Sequence, residues 1–228
     1  VGGCRIENTD RRRGAMIQAI FRSNFVLMGI PLVGNIFGDK ELAVTTMMIA
    51  IIVPLYNILG VFTLETFRGH KFAFWPIFLG VLKNPMILGA ITGAVFLLLG
   101  IPVPKPILKP LGQITAATSP IALIILGASF RLGTTGEHRS QLVFCVLSRL
   151  FIVPAAVLSA AALLGFRGVD FVTLVSIFCT PCAVASFAMA QQMDSDAALA
   201  GNCVVFTSAF SCFTIFGWIL LFKNLGMF

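Results

Sequence analysis

Seven apolar runs lie at about 15–37, 42–64, 84–100, 112–130, 141–164, 171–190 and 197–222, with only short polar gaps between them. A helix that crosses a bilayer needs about 20 apolar residues, with a range of about 17 to 25. Hydrocarbon offers no water to satisfy free amides and carbonyls, so runs of this kind are helical. The chain is therefore expected to be an all-α polytopic membrane protein. Its 228 residues are 58% hydrophobic and 11% charged, against roughly 25% charged in soluble domains.

The basic residues fall in the gaps between runs, where Lys and Arg set membrane orientation. One side collects Arg5, Arg11, Arg12, Arg13, Arg68, Lys71, Lys83, Arg131 and Arg139, nine in all; the other collects Lys40, Lys105, Lys109, Arg167 and Lys223, which is five. The first side is expected to be cytoplasmic, which puts the C-terminus on the extracytoplasmic side. This placement accounts for the net charge of +7 without a nucleic-acid partner. Cys145, Cys179, Cys182, Cys203 and Cys212 lie inside apolar runs and read as small apolar residues. The CxxC of Cys179 and Cys182 has no second pair and no nearby histidine, so neither a metal nor another cofactor is expected.

The third run opens with Asn84 and Pro85, a capping residue before a proline at the first helical position. The stretch FAFWPIFLGVLK ahead of it reads as an interfacial helix. Between the third and fourth runs, IPVPKPILKPL is proline-rich and is expected to be a connector at the membrane edge.

The stretch NFVLMGIPL, residues 24–32, is apolar enough for lipid yet holds an asparagine, a glycine and a proline. Pro31 removes a backbone donor, Gly29 permits close approach of another backbone, and Asn24 offers both donor and acceptor atoms. A second pattern gives these residues a context. DKELA from Asp39, fourteen residues and ILG from Ile58 return as DAALA from Asp196, fourteen residues and IFG from Ile215, an offset of 157 in both parts. Five runs separate the copies, so the copies enter the membrane from opposite sides. This is the inverted repeat on which many secondary transporters build a central site between broken helices. A break exposes backbone amides and a positive dipole end toward an anion.

At these residues the chain resembles the auxin efflux carrier family of membrane transporters, in its compact bacterial form. The motifs are SNFVLMGIPL (Ser23 to Leu32), LKNPMILG (Leu82 to Gly89), SRLFIVP (Ser148 to Pro154) and TPCAVASFAMA (Thr180 to Ala190), followed by DAALA. The resemblance implies ten spans in two inverted five-helix repeats, the fourth and ninth helices being broken at a crossover. The seven runs here would be the fourth to the tenth, with three spans, roughly 80–90 residues, expected ahead of Val1. Residues 1–64 would then complete the first repeat, and 65–83 would be a cytoplasmic linker. Residues 84–130 would be scaffold helices, and 131–228 the transport-domain helices of the second repeat.

The resemblance further implies a plasma-membrane permease, in a bacterium at the inner membrane, that moves small organic anions by an elevator motion. Asn24 matches the asparagine that lies beside the substrate carboxylate, and Gly29 and Pro31 match the crossover break. In the second repeat the plant members carry a proline where Ser186 stands here, so Pro181 and the small-residue run around Ser186 are alternative sites of the second break. A second copy, meeting the first through the scaffold helices, is a candidate partner beside the lipid bilayer.

Arg149 lies about nine residues into its run, and two readings stay open: snorkelling or structural pairing, and attraction of an anion. Arg22 is expected to be an interfacial anchor. Asp39, Glu41, Asp194 and Asp196 are expected at helix starts, and Gln191 and Gln192 in a solvated loop. No intramembrane carboxylate marks an ion-coupling site. Neither HExxH, GxSxG nor paired intramembrane aspartates appear, so an enzyme is not expected. The alternatives are a sodium-coupled bile-acid-type or proton-antiporter-type carrier of similar architecture, and a sensor or scaffold that does not transport.

Overall fold

A computed structural model describes residues 2–38, 41–68, 85–129 and 139–228. These residues are helical nearly throughout: α1 (Gly2–Phe21), α2 (Ile30–Phe37), α3 (Ala43–Thr66), α4 (Pro85–Leu98), α5 (Lys105–Ser129), α6 (Arg139–Leu147), α7 (Val153–Leu163), α8 (Gly168–Phe178), α9 (Val184–Gln192) and α10 (Ala197–Asn224). Two π-helical turns, Phe25–Gly29 and Ser148–Ile152, lead into α2 and join α6 to α7. Among the described residues, three continuous helices are long and apolar enough to cross a membrane: Ala43–Thr66, Arg139–Leu163 and Ala197–Asn224. The interfacial-helix expectation at FAFWPIFLGVLK, like Asp39, Lys40 and Arg131, lies outside the described residues.

Two runs that read as single spans are not single helices. The run at 15–37 is the end of α1, an unwound segment at Arg22–Asn24, the first π turn and α2. The run at 171–190 is α8, a non-helical segment at Cys179–Ala183 and most of α9. The proline-rich connector also shrinks. Only Ile101–Pro104 is non-helical, because Pro106 falls in the first turn of α5, where its missing amide has no partner to lose.

Each π turn ends two residues before a proline, Pro31 in one case and Pro154 in the other. A proline ring crowds the carbonyl four residues back and offers it no amide, and a wide turn moves that carbonyl aside. For Pro154 the carbonyl is that of Leu150, and the indole Nε1 of Trp218 on α10 donates to it at 2.9 Å. We expect Trp218→Phe to leave this carbonyl unsatisfied and to cost about 1–3 kcal/mol. Denaturant melts of the detergent-purified protein would show it, and an unchanged midpoint would rule the bond out as a stabilising one.

Two apolar clusters flank the breaks. One gathers Ala19, Leu142, Cys145, Cys182, Val184, Phe187, Leu199 and Cys203 between α1, α6, α9 and α10. The other gathers Leu158, Phe171, Val175, Cys179 and Phe222 between α7, α8 and α10. Cys179 and Cys182 thus fill opposite cores. The acidic turn after α9 is tied to α1 by Arg11–Asp194 and Arg12–Asp196 ion pairs, both at 3.2 Å. Asp196 also caps α10 through its bond from the Leu199 amide at 2.9 Å. Long apolar side chains elsewhere, such as Met47, Ile124 and Phe213, stand exposed as lipid-facing residues do.

Candidate functional site

The two unwound segments cross each other. Backbone amides of Asn24 and Ala183 donate to the carbonyls of Pro181 (2.8 Å) and Arg22 (3.3 Å), forming an isolated antiparallel bridge centred on Ser23 and Cys182. The bridge satisfies amides and carbonyls that the broken helices would otherwise leave bare. The offset of 157 carries Phe21, the last residue of α1, onto Phe178, the last residue of α8 (21 + 157 = 178). It also carries Asn24 onto Pro181 (24 + 157 = 181), so Asn24 bonds to its own counterpart.

Arg149 sits behind this crossing, with no exposed surface. Its Nε and Nη2 donate to the Thr180 carbonyl at 2.9 and 2.8 Å, and Nη2 also reaches the Ile177 carbonyl at 3.1 Å. Nη1 donates to Ile20 and Phe21 carbonyls at 3.1 and 3.3 Å. The guanidinium therefore joins the carbonyl ends of α1 and α8, where helix dipoles leave partial negative charge. It is paired within the protein and does not snorkel to the headgroups.

In front of the crossing lies an open cavity of about 680 Å³, lined by Arg22, Ser23, Asn24, Val26, Leu27, Val53, Tyr56, Asn57, Ala183, Val184 and Ala185, and bordered by Thr115, Ala116 and Pro120 of α5. Asn24 ahead of the first π turn, Val26 and Leu27 within it, and Val184 and Ala185 at the start of α9 line it, so the amide ends of two helical segments border one space. Asn24 makes no capping bond to the turn it precedes, which leaves its amide side chain on the cavity wall. Ser23 donates to the Tyr56 hydroxyl at 3.1 Å.

Of the other residues singled out from the sequence, Pro181 lies in the second break and is buried. Ser186 is fully buried in the first turn of α9 and does not line the cavity. Gly29 is not at the first break but five residues beyond it, packed on α8: a Cβ there would stand 2.9 Å from the Ser176 carbonyl oxygen. Pro31 is exposed near the start of α2 and borders a smaller pocket of about 360 Å³ with Asn35 and Gly38. Gln191 and Gln192 are exposed in the last turn of α9.

Arg22 departs most from expectation. It is no interfacial anchor but is 6% exposed on the cavity wall, its Nη2 donating to Asn57 Oδ1 at 2.8 Å and its Nη1 to the Met189 sulfur. Gly60 makes room for it, since a Cβ there would lie 3.0 Å from Nη1. Tyr56 and Asn57 were also missed. Asn57 gave the same signal as Asn24, an amide inside an apolar run, and Tyr56 is the one tyrosine of the chain. A second groove, of about 610 Å³ between α6 and α10, offers only Arg139 and Thr214 as polar groups to orient a solute.

Comparison with known proteins matches residues 73–219 to a family described as membrane transport protein. An uncharacterized transporter of Methanocaldococcus jannaschii is 24% identical over 220 residues, which cover 93% of this chain and 70% of that protein.

Proposed function

This chain belongs to the membrane transport protein family, and from that premise we propose that it is a secondary carrier of small organic anions in the plasma membrane, working by an elevator-type alternation around the crossing of its two broken helices. The observation that carries the reading is the cavity itself, where Arg22, Asn24 and the amide ends of two helical segments border one space of about 680 Å³. Such a space is of the size that holds a small ligand, and its polar groups are donors suited to a carboxylate.

The 157-residue offset, which relates the ends of α1 and α8 as well as the sequence motifs, supports an inverted repeat. Antiparallel pairing of Asn24 with its counterpart Pro181 supports a local two-fold axis through the crossing. That the α5 wall of the cavity belongs to the 84–130 segment fits a scaffold past which the crossing would move. In this scheme Asn24 holds the substrate, Gly29 and Pro181 shape the two crossing segments, and Arg149 acts on the anion only indirectly, through the helix ends it ties.

Counterflow of a labelled carboxylate in proteoliposomes of the full-length carrier tests the proposal. Asn24→Ala is expected to raise the half-saturation concentration about 10- to 100-fold, the worth of a hydrogen bond to a charged group. Kinetics identical to the parent would remove Asn24 from the site. Carboxylate binding without any counterflow would favour a sensor over a carrier.

A further inference from the structure

Among the described residues, Arg22 is the one cationic residue on the cavity wall. A guanidinium has five N–H donors, and the bonds it makes here are to neutral acceptors: an amide oxygen and a thioether sulfur, the latter a weak acceptor. Among the described residues no carboxylate forms an ion pair with it. Its situation is thus the reverse of that of Arg149, whose bonds go to strongly polar helix ends. A buried cation inside an apolar run is costly without a partner, and this one faces a cavity large enough to admit one.

The site is also lopsided. The offset of 157 carries Arg22 onto Cys179 (22 + 157 = 179), so the second break contributes no matching cation. Around Arg22 the remaining polar wall is Ser23, Asn24, Tyr56, Asn57 and Thr115, all uncharged, while Val26, Leu27 and Val53 supply apolar surface.

Building on the carrier reading, we infer that Arg22 is the counter-charge of this site and that it selects a singly charged carboxylate with an apolar body. The carboxylate pairs with guanidinium N–H donors that Asn57 and Met189 leave unused, and those two bonds hold the fork in place. A second carboxylate on the ligand finds no second cation among the wall residues and has to be desolvated against Val26, Leu27 and Val53, so dicarboxylates bind less well.

The test measures affinity of the purified full-length protein for benzoate, for malonate and for benzamide, the uncharged isostere of benzoate. The parent is expected to prefer benzoate over both others. Arg22→Gln is expected to weaken benzoate about 30-fold or more while leaving benzamide unchanged, and Arg22→Lys to keep part of the preference for benzoate. A thermal melt on each variant accompanies the titrations. Should Arg22→Gln not fold, the parent's ratio of benzoate to benzamide decides: equal affinities overturn the inference. A parent that prefers malonate, or a folded Arg22→Gln that binds benzoate as the parent does, overturns the role of Arg22 and leaves the carrier reading standing. A parent that binds neither benzoate nor malonate overturns both.

Discussion

Arg149→Met is expected to cost the protein at least about 3 kcal/mol of stability, since it strips donors from four carbonyls at once and each unsatisfied buried acceptor costs about 1–3 kcal/mol. The methionine fills most of the space, so the loss is polar rather than a cavity effect. Arg149→Lys is the informative companion. Lysine keeps the charge, but one ammonium with three donors cannot span carbonyls on two helices as a planar fork does, so an intermediate melting temperature is expected. Detergent-solubilised protein followed by thermal unfolding would resolve the series. Parent-like stability of the methionine variant would mean that the two helix ends need no tie.

The second large effect is expected at Gly29. An added Cβ there would lie 2.6 Å from the Phe25 ring, 2.9 Å from the Ser176 carbonyl oxygen and 3.2 Å from the Ser176 Cβ. The ring can turn only at a cost, since Phe25 is itself buried, and the carbonyl belongs to the backbone of α8. Gly29→Ala therefore has to push α8 away, at about 1–3 kcal/mol for overpacking, and α8 runs straight into the second break at Cys179. Stability and ligand affinity should fall together. Gly89→Ala is the control, because a Cβ there meets nothing within 4 Å and alanine is the better helix former. If Gly29→Ala melts with the parent, the close approach is not one that constrains the fold.

Helix content and several boundaries could be read from local chemistry. Asp196 announced the start of α10, and the apolar run at 42–64 nearly coincides with α3, while the capping position Asn84 lies outside the described residues. The Asn-Gly-Pro signature likewise pointed to a disturbed helix in the right region. It did not give the position of the break, because the chain unwinds at Arg22–Asn24, where the Pro181 carbonyl and Arg149 take over its hydrogen bonds. Those partners lie more than 120 residues away in sequence, beyond the reach of any local rule. The proline, by contrast, acts where it stands and produces only a wide turn. Arg22 was misread for a related reason: its distance from the end of the run suggested the headgroup region, whereas the crossing turns it inward to Asn57. Within the proline-rich stretch 101–111, Lys105–Leu111 is helical, since Pro106 falls in the first turn of α5 and Pro110 is carried inside the helix.

The partners of Arg149 also impose an order on biosynthesis. Ile20 precedes it by 129 residues and Thr180 follows it by 31, so a ribosome delivering α6 and the π turn after it to the bilayer supplies a guanidinium for which only one half of the acceptors yet exists. Until α8 and the segment after it have been inserted, that charge has an incomplete set of partners in an apolar setting. The crossing of the two breaks is consequently among the last features the nascent chain can complete, and a chain stalled before Thr180 carries its own mark of being unfinished.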